Sequence, residues 1–403
     1  MRPLIFIARV FPPAAGGGVQ RPLKLAKHLV RHGYAARVIA GRPTGALDPS
    51  LLDELPPEVR VFRVPLSTTE RSRQLLRFLG LGRVHRWAWK ALFLGDDGMA
   101  DLAETVMTAL VHGREAEAVL ATSLPFSSVI AGALVARILR VPLLADLRDP
   151  WAFAPRPRFM LPRQLEVAQE LERWALSEAK AITMVTEPMR AYLPPSVAAL
   201  AEVAPNGYDP DDFGGAVEPK RPEVFRVVYA GSLYGSRRPD AVLEALRAFL
   251  PSASAAGRKL EIVLAGSTHE HEATLRDSGL PIELRGYLPH REATALLRSA
   301  DAILVIVGVE EADRHAPSGK LYEAIAAGPP VLAWACTDGE AARVLSSTQA
   351  GRAVERSADL AEALRAVLEQ RAPVAPLVAR DLIPYQRQTT ARQIAEILDR
   401  ITG

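Results

Sequence analysis

The feature that most constrains the fold of this chain is an alternation of short apolar runs with amphipathic segments, which occurs twice along the sequence. In the first half, the apolar runs predict strands at Leu4–Val10, Ala36–Ala40, Val59–Val64, Ala118–Ala121, Pro142–Asp146, Ile182–Val185 and Ala201–Val203. Between them, the spacing of apolar residues predicts helices at Gln20–His32 and Ser127–Leu139. Such alternation is typical of parallel strands joined by crossover helices.

The second half starts the same alternation again. Strands are predicted at Phe225–Ala230, Leu260–Ala265, Ile282–Leu284, Ala302–Val307 and Val331–Ala335, and helices at Ala241–Phe249, Glu292–Ser299, Lys320–Ala327 and Ala358–Glu369. The turn Ala204–Asp209, with its Pro, Asn and Gly, marks the boundary between the halves. We therefore predict one α/β domain at residues 1–205 and a second at residues 206–375.

The remaining residues, 376–403, form a separate C-terminal segment in this interpretation. Prolines run through the stretch Arg371–Pro384, and the helical pattern Tyr385–Ile401 follows it. We expect this helix to cross over and pack back on the first domain.

Composition narrows the setting of the protein. No apolar run is long enough to span a membrane, and the N-terminal run is too short for a signal peptide. The single cysteine, Cys336, cannot form an intrachain disulfide, and a cytoplasmic location is the expectation.

One segment of the basic first half, Arg71–Leu94, is rich in both arginine and apolar residues and includes Trp87 and Trp89. Such a segment suits an anionic membrane surface, and we predict peripheral docking on the inner membrane face. The alternative is that its apolar residues pack on the first domain. No aromatic and basic motif of a known nucleic-acid module occurs, so nucleic acid is not an expected partner.

A glycine-rich loop follows the first predicted strand. Gly16, Gly17 and Gly18 are contiguous and precede a helix, so backbone amides there can approach a phosphate. Contiguous glycines do not match the GxGxxG pattern of nicotinamide dinucleotide sites. The alternative is a loop that is merely flexible.

A second phosphate-binding candidate lies at the start of the helix predicted after residue 317. Ser318 is placed to cap this helix, which leaves the amides of Gly319, Lys320 and Leu321 for an anion, and Lys320 adds a full charge. Glu323, one turn further on, can accept hydrogen bonds from ribose hydroxyls. The alternative for Glu323 is an ordinary first-turn glutamate that the helix dipole favours.

Two further segments place charged residues after predicted strands. The stretch Gly231–Pro239 carries Arg237 and Arg238, and the planar guanidinium of arginine suits a diphosphate. The stretch Asp146–Trp151 includes Asp149, at the end of a strand where α/β domains bind ligands. The alternatives are surface charge for the first and a structural Asp–Arg pair for the second.

Together these segments resemble the GT-B glycosyltransferases of family 4, also called group 1, and in particular members of polysaccharide assembly. The similarity covers nearly the whole chain and lies in six stretches: Pro12–Arg21, Asp146–Trp151, Pro205–Asp209, Gly231–Pro239, Arg285–Pro289 and Lys320–Val331. The resemblance implies two facing Rossmann-like domains with a deep interdomain cleft. The donor nucleotide then lies on the second domain and the acceptor on the first.

The resemblance also implies the chemistry, a retaining transfer from a UDP- or GDP-linked sugar that needs no metal and no further cofactor. The acceptor is a sugar, a lipid-linked sugar or another small molecule. It assigns Glu323 to the ribose, Gly17 and Gly18 to the donor phosphates, and the pair Tyr287 and Leu288 to the base. The donor-binding prediction is completed by Arg237, Ser318, Gly319, Lys320 and Leu321, and the catalytic prediction is Arg237, Lys320 and Asp149.

The sequence departs from the family pattern at three places. Ser123–Phe126 stands at the strand end of the first domain where many members carry a catalytic-site histidine. His315 stands where the first glutamate of the family's Glu-x7-Glu motif is expected, with Glu310 and Glu311 nearby, and Ser232 stands where many members have arginine. Two alternative functions therefore stay open. One is a nucleotide-sugar epimerase of the same architecture, with His315, Asp149 or Glu311 as its acid or base. The other is a binding subunit without catalytic activity.

Overall fold

The computed structural model describes residues 1–43, 45–65, 94, 96–154, 161–235, 237–268, 270–315 and 317–403. These residues divide into two compact units. The first unit is Met1–Pro205 together with Arg387–Gly403, and the second unit is Asn206–Gln386.

The first unit is built on a parallel sheet. Its described strands are β1 (Arg2–Ile7), β2 (Tyr34–Ala40), β3 (Arg60–Arg63), β4 (Ala118–Thr122), β5 (Leu143–Leu147), β6 (Ala179–Met184) and β7 (Ala201–Val203), in the order β3-β2-β1-β4-β5-β6-β7. The α-helices described between them are α1 (Gly17–Leu29), α2 (Leu102–His112), α3 (Ser127–Leu139) and α4 (Pro162–Ser177). All neighbouring strands pair in parallel, as the alternating pattern predicts.

The packing of both faces of strand β1 explains the apolar run in its sequence. Leu4 and Phe6 pack into one hydrophobic cluster, with residues of α1, while Ile5 and Ile7 pack into another, with residues of α3. Because side chains alternate along a strand, a sheet covered on both faces requires apolar residues at every position.

The second unit repeats this plan. Its described strands are β8 (Val224–Ala230), β9 (Lys259–Ala265), β10 (Ile282–Gly286), β11 (Ala302–Gly308), β12 (Val331–Ala335) and β13 (Gly351–Val354), in the order β10-β9-β8-β11-β12-β13. Its described helices are α5 (Asp240–Ala255), α6 (Glu272–Arg276), α7 (His290–Arg298), α8 (Gly319–Ala327), α9 (Glu340–Thr348) and α10 (Ser357–Leu368). This is the strand order of doubly wound dinucleotide-binding folds, so the predicted class of two Rossmann-like α/β domains is confirmed.

The last helix, α11 (Arg387–Thr402), belongs to the first unit. Its apolar face packs against Leu25, Ala26 and Leu29 of α1 through Ala391, Ile394, Ala395, Ile397 and Leu398. Arg2 and Tyr34 also bind the helix, since each donates a hydrogen bond of 2.6 Å to the Asp399 carboxylate. The prediction that the C-terminal helix packs back on the first domain is confirmed.

The prediction that residues 376–403 form one separate segment is wrong for its first part. Residues 376–386 lie in the second unit, where Arg380 donates hydrogen bonds to the carbonyl oxygens of Ile325 and Gly328. Leu382 and Tyr385 pack into the core of this unit, so the crossover helix begins only at Arg387.

A buried ion pair connects α1, β5 and the turn that follows β7 in the first unit. The guanidinium of Arg21, on α1, donates two hydrogen bonds of 2.9 and 2.6 Å to Asp146 on β5, and two more to the carbonyl oxygens of Ala204 and Pro205. Burial alone would raise the pKa of Asp146, but the charge and hydrogen bonds of Arg21 hold it below its ordinary value. Asp146 is therefore the structural half of an Asp–Arg pair, and its partner is Arg21 rather than Arg148.

No helix among the described residues is long and apolar enough to cross a membrane. The segment 71–94, predicted to dock on a membrane, lies outside the described residues apart from Leu94. Peripheral docking therefore stays a prediction.

The Arg21–Asp146 pair leads to the first testable prediction. Arg21→Ala leaves a buried carboxylate without its partner, and we expect the free energy of unfolding of the first unit to fall by about 3–5 kcal/mol. Urea denaturation followed by circular dichroism measures this loss. Arg31→Ala, at an exposed position just after α1, is the matched control and should change stability by less than about 0.5 kcal/mol. Equal stability of the two variants would contradict the structural role of the pair.

Candidate functional site

The strand order of the second unit reverses between β8 and β11, and ligands of such sheets bind beyond the carboxyl ends of the strands at this point. The backbone after β8 approaches the backbone after β9 closely. At Gly266, where φ is +128°, a side chain would lie 2.1 Å from the Gly231 carbonyl oxygen. Glycine is thus required there, and of these two loops the one after β8 lines the candidate pocket through Gly231.

Helix α8 begins at this edge of the sheet, and Ser318 caps it as predicted. The Lys320 amide donates to Ser318 Oγ at 3.4 Å, and the Leu321 amide donates to the Ser318 carbonyl oxygen at 2.9 Å. A Cβ at Gly319 would meet no atom within 4 Å, so the start of the helix faces open space at that residue. A helix N-terminus with this access favours an anion, because its first amides lack partners within the helix and carry partial positive charge.

The structure brings three of the predicted phosphate-binding residues together. Arg237, Ser318 and Lys320 line one pocket, with Gly231 and strands β8 and β11 beneath them. The Arg237 guanidinium donates to the Tyr234 hydroxyl at 3.0 Å and lies 4.8 Å from the centre of the same ring. Two cationic side chains and a capped helix start thus converge on one small pocket.

Glu323, the predicted ribose residue, is almost entirely buried behind this pocket. Its side chain is 9% exposed, and its Oε2 atom accepts a hydrogen bond of 3.2 Å from Lys320 Nζ. Burial would raise the pKa of Glu323, but the charges of Lys320 and His290 hold it below its ordinary value. The carboxylate is therefore ionised at neutral pH and acts as an acceptor.

Sequence reasoning missed two residues beside Glu323. His290, the first residue of α7, places Nε2 3.0 Å from Asp212 Oδ2 and 3.9 Å from Glu323 Oε1. Both His290 and Asp212 are buried. The only signal in the sequence is position, because His290 follows the motif Arg285–Pro289 and Asp212 follows the boundary turn.

The predicted base-contacting residues lie at another point of the same edge. Tyr287 and Leu288 follow β10, two strands away from β8, and are not among the described residues that line the Arg237 pocket. Tyr287 is 43% exposed, whereas Leu288 packs partly against the core. The structure thus sets them apart from the phosphate-binding candidates while keeping them on the edge where ligands bind.

The second-unit residues that depart from the family pattern, His315 and Ser232, lie in two different loops. His315 Nε2 lies 3.9 Å from Glu311 Oε1, and the exposed Glu311 also pairs with Arg314 at 2.9 Å. Glu310 forms the start of the same short turn, where its amide donates to Asp313. Ser232 uses its carbonyl oxygen to accept a hydrogen bond of 3.1 Å from the Tyr229 hydroxyl.

In the first unit, the glycine loop and the stretch Asp146–Trp151 meet at the carboxyl end of β5. Helix α1 begins at Gly17, and Gly16, with φ of +108°, provides no side-chain cap. Arg148 donates to the Gly18 carbonyl oxygen at 2.8 Å. Burial lowers the pKa of Arg148, and the charge of neighbouring Asp149 opposes that shift. Gly18 and Asp149 therefore both lie beside Arg148.

A buried carboxyl group binds the backbone of the loop after β5. Glu172, on α4, accepts a hydrogen bond of 2.7 Å from the amide of Ala152. Burial raises the pKa of Glu172 to about 7, although the amides of Ala152 and Phe153 oppose the shift. Trp151 of the same loop stacks on Phe126, with ring centres 4.6 Å apart.

Glu172 leads to a prediction for the pH dependence of stability. Because its pKa rises from 4.5 to about 7 on folding, the group favours folding at low pH, and this contribution is lost as the pH rises towards 7. The loss amounts to about 3 kcal/mol. We expect Glu172→Gln to remove this loss, so that the variant gains stability relative to the wild type between pH 5 and pH 8.

Thermal unfolding across that pH range measures the effect. Glu170→Gln, at an exposed position of the same helix, is the matched control and should keep the pH dependence of the wild type. If Glu172→Gln also keeps it, Glu172 is not the titrating group.

Comparison with known proteins gives two family matches. A model described as a glycosyl transferase 4-like domain matches residues 16–207, and a model described as glycosyl transferases group 1 matches residues 224–370. A 2-deoxystreptamine glucosyltransferase from Streptomyces kanamyceticus is 27% identical over 265 residues. This match covers 61% of the chain and 66% of that protein, slightly less than two-thirds of its length.

Solved structures share the fold over nearly the whole chain. HepE from Anabaena in complex with UDP-glucose has a TM-score of 0.65 at 17% identity, covering 99% of this chain and 100% of that one. The lipopolysaccharide outer core galactosyltransferase WaaB has a TM-score of 0.58 at 11% identity, covering 98% and 99%. A putative UDP-N-acetylglucosamine 2-epimerase from Listeria monocytogenes has a TM-score of 0.56 at 13% identity, covering 97% and 94%. The fold is therefore common to transferases and epimerases.

Proposed function

Because the chain belongs to the group 1 glycosyltransferases with the GT-B fold, we propose that it transfers a sugar from a nucleoside diphosphate to an acceptor with retention of configuration. The observation that carries this proposal is the convergence of Arg237, Lys320 and the Ser318-capped start of α8 on one pocket. Each of these groups favours an anion, and the leaving group of such a transfer is a diphosphate.

The chemistry asks the site mainly to stabilise growing negative charge. The bond between the anomeric carbon and the diphosphate oxygen breaks, and the acceptor oxygen forms the new bond to that carbon. The acceptor hydroxyl loses its proton to the departing diphosphate. Arg237 and Lys320 supply full positive charges, and the amide of Gly319 supplies an oriented dipole, which is the main requirement of such a step.

The donor in this proposal is a uridine diphosphate sugar. Anabaena HepE binds UDP-glucose and UDP, and the Streptomyces relative is a glucosyltransferase. Glu323 then accepts from the ribose, and Tyr287 and Leu288 lie by the base. For the first unit, the assignment of Gly17 and Gly18 to the donor phosphates stays a prediction.

The acceptor in this proposal is a sugar of a cell-surface polysaccharide or glycolipid. WaaB, which shares the fold, is a lipopolysaccharide galactosyltransferase. Asp149 is the candidate catalytic residue of the first unit, since it lies beside the half-buried Arg148 at the carboxyl end of β5. No metal is needed for this chemistry, because Arg237 and Lys320 take the place of a metal cation at the diphosphate.

A binding and turnover experiment tests the proposal. Thermal unfolding is measured with UDP, TDP, GDP and ADP, and a ligand at about 100 times its Kd adds about 2.7 kcal/mol to the free energy of unfolding. We expect UDP to give the largest shift. Release of UDP from UDP-glucose is then followed with and without a sugar acceptor, and with and without EDTA.

We expect the release to increase with the acceptor and to be unchanged by EDTA. Epimerised free nucleotide sugar in the same reaction would instead favour the epimerase alternative. Binding of UDP without release or epimerisation would favour a subunit that only binds nucleotide sugars. Loss of activity with EDTA would contradict the metal-independent mechanism.

Arg237 is the residue whose loss should affect turnover most directly. We expect Arg237→Ala to lower kcat by roughly 10²–10³, the magnitude typical of losing one group that stabilises charge in the transition state. Steady-state kinetics of UDP release measures the change. Arg356→Ala, at an exposed position of the same unit, should leave kcat unchanged. Unchanged kinetics in Arg237→Ala would remove Arg237 from the mechanism.

A further inference from the structure

A chain of polar side chains begins at Lys320, one of the residues that line the Arg237 pocket of the second unit. It runs from Lys320 to Glu323, His290 and Asp212, with distances of 3.2, 3.9 and 3.0 Å between successive charged or polar atoms. Three helical segments contribute to it, namely α8, the start of α7 and the short helix Pro210–Phe213. Nε2 of His290 is the atom that faces both carboxylates.

A purely structural tie between α7 and the segment Pro210–Phe213 does not require His290. Thr294 of α7 already donates to the Asp212 carbonyl oxygen at 2.8 Å, and Arg298 donates to the Phe213 carbonyl oxygen at 2.7 Å. Unlike Thr294 and Arg298, His290 also lies close to Glu323, with 3.9 Å between Nε2 and Oε1.

The geometry around Glu323 limits what its carboxylate can do. Oε2 accepts from Lys320, whereas the 3.9 Å between Oε1 and His290 Nε2 is longer than a hydrogen bond. Oε1 is thus held by electrostatic attraction and keeps capacity to accept from a ligand hydroxyl. A glutamate side chain has several rotatable bonds, so attraction from both sides reduces the orientations that remain open to it.

We propose that His290, anchored by Asp212, is a positioning residue that orients the Glu323 carboxylate towards the vicinal hydroxyls of a ribose. This inference rests on the proposed function, since it needs a nucleotide in the site. His290 makes no contact with the nucleotide itself. Its effect on binding passes entirely through Glu323 and therefore depends on whether the ligand carries ribose hydroxyls.

Calorimetric titration with UDP and with 2′,3′-dideoxy-UDP tests this dependence. We expect His290→Ala and Glu323→Gln each to weaken UDP binding by about tenfold, the size expected for disturbing one hydrogen bond to a charged group. Both variants should bind dideoxy-UDP within about twofold of the wild type. Asp212→Asn should change UDP binding in the same direction as His290→Ala.

Two further variants separate positioning from folding. His290→Gln keeps an amide donor that can reach Asp212, and its affinity for UDP should lie between those of the wild type and His290→Ala. It also keeps the test usable if His290→Ala fails to fold by circular dichroism. Arg291→Ala changes the exposed neighbour on the same helix and should leave the affinity for both ligands unchanged.

The outcomes that overturn the inference differ from those that overturn the proposed function. Equal weakening of UDP and dideoxy-UDP in the His290 variants would reduce His290 to a structural tie. A loss of ribose discrimination in Glu323→Gln alone would show that Glu323 needs no positioning by His290. Failure of the wild type to bind UDP at all would instead remove the proposed donor, and this inference with it.

Discussion

The constraint behind the candidate site is the reversal of strand order at the centre of a parallel sheet. Crossover helices on either side of β8 and β11 run to opposite faces, so the carboxyl ends of these two strands are left uncovered. The chain fills this edge with backbone that can approach closely, at Gly231 and Gly266, and with the start of α8. Arg237 and Lys320 then add charge to an edge that backbone dipoles already favour for anions.

Buried carboxylates occur in both units, and Asp146 and Glu323 each face a positively charged side chain. Asp146 receives hydrogen bonds from Arg21 and from the hydroxyls of Thr122 and Thr183, which compensates the cost of removing its charge from water. Glu323 is also a buried carboxylate, but the distances to its charged neighbours Lys320 and His290 are longer, at 3.2 and 3.9 Å. This difference fits their roles, because a structural carboxylate uses all its acceptor capacity internally and a binding carboxylate must retain some.

Much of the fold could be predicted because apolar periodicity reports burial directly. The strands of both sheets lie where short apolar runs predict them, except β13, whose four residues include the exposed Arg352. Helix ends were less accurate. Helix α1 begins at Gly17 rather than Gln20, because first-turn residues need no helical amide bond and glycine is tolerated there.

The Ser318 cap could be predicted because capping depends on residues adjacent in sequence. The contact of His290 with Asp212 could not, because 78 positions separate them and only the fold joins them.

The position of α11 determines the order in which the two units can be completed. Hydrogen bonds of the first unit join residues as far apart as Arg2 and Asp399, and its core includes apolar residues of the last helix. The second unit is one continuous stretch of chain, so it can form while the C-terminal helix is still being synthesised. The first unit must wait with the surface of α1 uncovered until α11 has been synthesised. The first unit is therefore completed only after the second unit has been synthesised, and the apolar surface of α1 stays exposed until α11 emerges.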